Sequence, residues 1–260
     1  SKIVERAKSG CERTVIGLMA SGSELGAAEL LEGARLAQNQ DPRLKVLAIG
    51  PKTPGYEDLD WLETPASDAD IAPAMEKALT EGRIAGAVAL HYPFPVGVTT
   101  IGRVITPARG RSLLIASTTG ASSAQALEAL VPNALYGRAV ARSLGRNDPT
   151  SGIRNIAGAK QNLRALKALK EGGYNLKFGE SQRADGGAIL RGNDILNPTV
   201  DICLCDSLTG NVLMKLFSAW QTGGAYEAAG WGYGPSAGAG WKQAVSIISR
   251  ASGALPLLPI

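Results

Sequence analysis

The segment Asp206-Ser207-Leu208-Thr209-Gly210-Asn211, followed by Val212-Leu213-Met214-Lys215, carries the clearest chemistry in the chain. It joins an apolar β-rich stretch, Val200–Cys205, to a helical one, Asn211–Trp220. A helix N-terminus offers unbonded amides and the positive end of the backbone dipole, which together hold anions. Thr209, Gly210 and Asn211 fall at that end. Glycine lets an anion approach the backbone, and the hydroxyl and carboxamide add donors. Lys215 follows about one turn later, and helical side chains lean towards the N-terminus, so its ammonium is expected to reach back. Asp206 is placed to orient Lys215 or a proton-transferring water. Val212, Leu213, Leu216, Phe217 and Trp220 are expected to form the buried stripe, leaving Lys215 off it. The chemistry indicated is the handling of phosphate or another oxyanion.

Other loops that follow strands have the same composition: Ser21-Gly22-Ser23, His91 ahead of Pro93 and Pro95, and Ser117-Thr118-Thr119-Gly120. In open parallel sheets, ligands bind outside the carboxyl ends of the strands. Ordinary helix capping accounts for any one such loop; several on one rim argue for a site. Several alternatives are excluded. The chain has no G-x-x-x-x-G-K-[ST] and no G-x-G-x-x-G between a strand and a helix. One His with Cys11, Cys203 and Cys205 does not make a structural zinc site. A Ser-His-Asp triad could draw only on His91, and the one G-x-S-x-G, Gly234–Gly238, falls in the Gly-rich stretch Gln221–Gly240 and not at a strand-to-helix turn, so it does not read as a nucleophile elbow.

These residues require elements to position them. Strands are expected at Thr14–Met19, Lys45–Ile49, Ala85–Leu90, Ser112–Ala116, Ser151–Ile156, Leu176–Phe178 and Val200–Cys205. Helices are expected at Glu24–Asn39, Asp70–Glu81, Ser122–Leu144 (with a break near Pro132), Lys160–Lys170, Asn211–Trp220 and Trp241–Ala251. Gly172-Gly173 caps the helix at Lys160–Lys170, and Gln221–Gly240 reads as a Gly-rich loop. Apolar strands alternating with helices mean an α/β fold with a mostly parallel sheet and helices on both faces. The expectation is one α/β domain over 1–260, divisible into two lobes near 147–150.

Composition supports a globular chain. Its 260 residues are 45% hydrophobic, 19% charged and 5% aromatic, too apolar for disorder. A net charge of +4 is too small and dispersed for nucleic acid. No apolar run is long enough for a membrane span, and the charged start is no secretory signal; a cytoplasmic protein is expected. The 32 glycines pose a question: flexible filler, or backbone brought close to something.

DSLTGNVLMK resembles the D-G-F-T-G-N-x-x-L-K segment of the bacterial phosphate acyltransferases of phospholipid synthesis. A larger set of segments resembles the family of component C alpha subunits of glycine/sarcosine/betaine reductases. These are Arg183-Ala184-Asp185-Gly186-Gly187, Arg191-Gly192-Asn193-Asp194, Leu208–Asn211, Thr222-Gly223-Gly224, Gly232-Tyr233-Gly234-Pro235, His91–Gly97, Thr118-Thr119-Gly120 and Ser249–Gly253. The resemblance implies a phosphotransacetylase-like, isocitrate-dehydrogenase-like fold with the site in a cleft between two lobes. It implies acetyl transfer from a cysteine thioester, received from carboxymethylated selenoprotein A, to phosphate, giving acetyl phosphate. The implied partners are a component C beta subunit and selenoprotein A in an oligomer, with phosphate as substrate and no cofactor, metal, nucleic acid or membrane. Such chemistry needs donors for the oxyanion and a positioned phosphate. Thr209, Gly210, Asn211 and Lys215 are the first candidates. Arg183, Asp185, Arg191 and Asn193 are second, since Arg grips oxyanions in bidentate fashion. Ser21, Ser23, His91, Thr118 and Thr119 complete the set.

In the family pattern, Gly186-Gly187 is followed by cysteine, where this chain has Ala188. Cys203 and Cys205 share one face of their strand. A buried strand cysteine is ordinarily inert, and Asp206 beside Cys205 would raise its pKa. Three readings stay open on the sequence: an acyltransferase subunit using a cysteine, a phosphate-binding subunit that has lost its nucleophile, and a CoA-dependent phosphate acetyltransferase.

Overall fold

The computed structural model describes residues 13–95, 97–118, 128–184, 186–221, 223–224, 236–237 and 242–248. They fall into two compact units. One holds the described residues up to Pro93 and from Gln243; the other holds Phe94–Gly224 with Ser236, Ala237 and Lys242. The division thus follows Pro93 instead of lying near 147–150. The reason is that β7 (Thr150–Arg154) directly after that segment is a central strand of the second sheet, and Asp148 ahead of it is tied to Lys177 at 3.0 Å.

The first unit is a parallel sheet in the order β12-β4-β1-β2-β3. Its strands are β1 (Thr14–Met19), β2 (Leu44–Gly50), β3 (Asp60–Glu63), β4 (Gly86–Ala89) and β12 (Val245–Ile247). Helices α1 (Ala27–Gln40) and α2 (Asp68–Thr80) belong to it. The helix expected over Trp241–Ala251 is not formed in its described part. Val245, Ser246 and Ile247 instead pair in parallel with Ala87, Val88 and Ala89. β-Branched Val and Ile suit a sheet edge, and the ladder overrides the local helical spacing.

The second unit is a mixed sheet in the order β11-β5-β6-β10-β7-β8, with β9 also on β7. Its strands are β5 (Thr99–Ile105), β6 (Ser112–Thr118), β7, β8 (Lys177–Phe178), β9 (Ile189–Leu190), β10 (Ile202–Leu204) and β11 (Ser236–Ala237). The sequence reading omitted β5, which is antiparallel to β6, so this edge departs from the parallel rule. Side chains alternate across the sheet as the strand period demands. Ile202 and Leu204 of β10 join Leu114 and Ala116 under α3 (Leu130–Ser143) and α4 (Ala159–Glu171). Cys203 and Cys205 join Leu113 and Ile115 on the other face, under α5 (Gly192–Leu196) and α6 (Ser207–Gln221). Helices on both faces are thus observed. Pro132 does not break α3, because it sits in the first turn, where no amide donor is needed.

Candidate functional site

Helix α6 begins at Ser207, four residues earlier than the sequence implied. Asp206 therefore caps it. Its Oδ1 accepts the Thr209 amide at 2.9 Å and its Oδ2 the Thr209 hydroxyl at 2.5 Å. The Gly210 amide donates to the Asp206 carbonyl at 2.9 Å. The amides of Thr209 and Gly210, expected to face an anion, are thus spent on the chain itself, and a carboxylate already occupies the helix entrance. Burial pushes the Asp206 carboxyl up, but the two Thr209 bonds and the charge of Arg154 outweigh it and hold the group below the usual carboxylate range. Asp206 commits both oxygens to Thr209, so the expected partnership with Lys215 is not formed.

Arg154, which sequence reasoning missed, ends β7 beside the end of β10. Its Nη1 donates to Thr209 Oγ1 at 3.1 Å and lies 3.9 Å from Asp206 Oδ2. The available signal was a basic residue at the carboxyl end of a strand.

Gly210 is buried, and its role is packing. A Cβ there would stand 2.6 Å from Ser117 Cβ and 2.7 Å from Ser117 Oγ, so the glycine lets α6 rest directly on β6. This seating turns the helix so that Gly210, Met214, Phe217 and Ser218 are buried. Of the expected buried stripe, Val212, Leu216 and Trp220 are instead 45%, 59% and 52% exposed. Asn211 and Lys215 are exposed. At ~100° per residue they share one edge of the helix, on the opposite side from Thr209. Among the described residues neither makes a side-chain hydrogen bond or ion pair.

A cavity of about 650 Å³ opens between the ends of β7 and β9, α5 and α6. Leu190, Ile195, Leu213 and Phe217 line it, with Arg154 and Arg191. Arg191 is exposed and precedes α5, where its backbone amide donates to Asp194 Oδ2 at 2.8 Å. Asp194 is 1% exposed and also accepts the Ser181 hydroxyl at 2.6 Å and the Gln182 amide at 2.7 Å. Burial raises the Asp194 carboxyl, yet these donors bring it below its ordinary value. It is a structural knot that motif reading did not single out.

The remaining candidates make local contacts of their own. Asn193 is exposed on α5, and Arg183 is half-buried with its amide on Ser181 Oγ at 3.3 Å. Ala188 is buried, its carbonyl accepting the Ile153 amide at 2.8 Å. The Thr118 hydroxyl donates at 2.8 Å to buried Asn133 Oδ1, which also takes Thr99 at 2.6 Å. Ser21 donates to the Ala66 carbonyl at 3.0 Å, Ser23 Oγ accepts the Leu25 amide at 3.1 Å, and His91 is exposed; these three belong to the first unit. Thr119 and Asp185 lie outside the described residues, as does Cys11. Cys203 and Cys205 are fully buried, with sulfurs 3.5 Å apart. The neighbouring Cys203 and burial push the Cys205 thiol well up, against any role as a thiolate nucleophile. Among the described residues no cluster could hold a metal ion, and no helix is long and apolar enough to cross a membrane.

The fold is that of the phosphotransacylases. The crystal structure of a branched-chain phosphotransacylase from Enterococcus faecalis V583 matches with a TM-score of 0.61 over 93% of this chain and 94% of that one, at 14% identity. Residues 14–157 match the family model described as fatty acid synthesis protein, and the chain belongs to that family. It is 47% identical over 238 residues, 92% of its length, to glycine/sarcosine/betaine reductase complex component C subunit alpha of Peptoclostridium acidaminophilum. It is 32% identical over 110 residues to the phosphate acyltransferase of Brucella suis biovar 1, covering 41% of this chain and 30% of that protein. The resemblance read from the motifs is therefore shown. The chain spans 61% of the length of the component C relative.

Proposed function

We propose that the chain is an acyltransferase subunit of an amino-acid reductase complex of the component C type, transferring an acetyl group from a thioester to phosphate. The reaction balances without a redox partner. A phosphate oxygen attacks the thioester carbonyl, the C–S bond breaks, and acetyl phosphate and a thiol leave. Phosphate is the substrate, and no cofactor is required.

The observation that carries this reading is the Asn211–Lys215 pair. The two side chains are one turn apart on one exposed edge of α6, and among the described residues their donors are unspent. A carboxamide and an ammonium so arranged suit a phosphate or a developing oxyanion. The identity to a component C subunit alpha over 92% of the chain supports the same assignment. The Arg154–Thr209–Asp206 chain serves to fix the helix that presents the pair. Cys203 and Cys205 are buried and Ala188 stands at the family's cysteine position, so neither of these two cysteines carries the thioester. Selenoprotein A and a beta subunit would be the source and neighbour in a cytoplasmic oligomer.

The test follows acetyl phosphate formed from an acetyl thioester and phosphate. Lys215→Ala is expected to lower kcat/KM by about a hundredfold, the scale of losing one oxyanion donor. Cys203→Ser with Cys205→Ser is expected to leave turnover within about twofold, since buried thiols take no part. An acetyl adduct on either cysteine in peptide mapping, or full activity of Lys215→Ala, would overturn the assignment.

A further inference from the structure

Nine large apolar side chains are exposed among the described residues, and five of them lie on α5 and α6: Leu196, Leu208, Val212, Leu216 and Trp220. Such concentration marks an interaction surface, whereas scattered exposed apolar residues are ordinary. The last four recur every fourth residue, a stripe ~18 Å long at ~1.5 Å per residue. Leu208 at its start is 74% exposed. At the other end, Leu216 and Trp220 continue into the cavity beside α5.

The edges of this surface are basic. Lys215 flanks the stripe on one side, and Arg154 and Arg191 stand in the cavity on the other. Helix α6 contains no acidic residue. Among the described residues, the only charged side chains lining the cavity are the two arginines. Arg154 shares its charge with Asp206 and Arg191 acts on the carboxylate of Asp194, whereas Lys215 forms no ion pair among the described residues.

We infer that this face docks an amphipathic helix of another polypeptide, apolar along one stripe and flanked by Asp or Glu. Helix-in-groove recognition reads anchors at one-turn spacing along both partners, which is the pattern here. Charge complementarity sets the sign of the flanks. A second copy of this chain is disfavoured, because a two-fold contact would bring Lys215 and Arg191 against their own like charges. A flat bilayer does not enter the concave end that Trp220 and Leu196 border. A small acyl anion would fill the cavity yet leave Leu208 and Val212 uncovered. The inference concerns binding alone and stands whether or not the acyl-transfer reading does.

The experiment uses the full chain and two synthetic helical peptides of about 18 residues. Both carry the same Leu stripe; one has Glu on its flanks, the other Lys. Isothermal titration is expected to give micromolar binding of the Glu peptide, at least about tenfold tighter than the Lys peptide and weakened by added salt. Val212→Asp with Leu216→Asp should abolish binding, with an unchanged circular dichroism melt showing that the fold is kept. Arg191→Glu should narrow or reverse the preference between the peptides. The inference is overturned by equal binding of the two peptides, or by no binding at millimolar concentration. It is equally overturned if the doubly substituted chain differs from the parent in oligomeric state on sedimentation. Loss of binding to phosphatidylglycerol vesicles in that variant, or displacement of the Glu peptide by octanoate, would also overturn it.

Discussion

Gly210→Ala tests whether this glycine of the L-T-G-N segment serves helix packing or ligand approach. The added Cβ would sit 2.6 Å from Ser117 Cβ, an atom fixed to the β6 backbone. Ordinary contact begins near 3.4 Å, so α6 must lift or tilt away from the sheet. Overpacking of this kind costs about 1–3 kcal/mol. The better helix propensity of alanine returns up to about 1 kcal/mol. The net expectation is a loss of about 1–2 kcal/mol, or roughly 2–8 °C in melting temperature for a chain of this size. Ser117→Gly removes the obstructing atoms. In that background Gly210→Ala should be neutral or stabilising, giving a coupling of about 2 kcal/mol in a double-mutant cycle. Urea unfolding of the four proteins measures it. The packing argument is refuted if Gly210→Ala is as stable as the parent, or if Ser117→Gly fails to rescue it. Phosphate affinity lost without any loss of stability would return the glycine to the role its motif first implied.

Other expectations follow from the same geometry. Asp194→Ala strands three donors, of which the Gln182 and Arg191 amides cannot turn to other acceptors, and should cost about 3 kcal/mol in urea unfolding; Asp194→Asn, which keeps an acceptor, should cost less. Because the folded carboxyl of Asp194 lies below its unfolded value, its contribution is fully present above the unfolded pKa of about 4 and fades as pH falls through the folded one. A stability–pH curve should therefore be flatter in acid for Asp194→Asn than for the parent. Cys203 and Cys205, wholly buried, should resist a thiol reagent in the native Cys11→Ser protein and react at once in denaturant; fast native labelling would contradict their burial.

Much of the fold was legible because its signals are local. Thr14–Met19 is a strand with the bounds its apolar run indicated, and α4 ends at the Gly172-Gly173 cap that its sequence announced. Four strands went unread: β9 and β11 are only two residues long, β3 is the short edge strand DWLE, and β5 carries Gly102 and Arg103 within it. The final helix was misread because Val245–Ile247 gains more from a ladder with β4 than from its own helical spacing. At the site, the motif around Thr209 and Gly210 was found, but the bonding of its amides to Asp206 was not foreseen. A capping carboxylate and an anion-binding loop draw on the same residue types, and only the position of the helix start separates them.

The sequence by itself determined the α/β class, the helices on both faces of a sheet, the strand-to-helix junction at Asp206 and the kinship with phosphate acyltransferases. Those follow from periodicity, capping residues and motif identity, all carried by neighbours in the chain. Only the tertiary structure decided which way α6 faces. That depends on the single close approach of Gly210 to Ser117, a residue 93 positions away, which no local pattern encodes. Seating the helix on that contact buries Met214 and Phe217, exposes Val212, Leu216 and Trp220, and turns Asn211 and Lys215 outward.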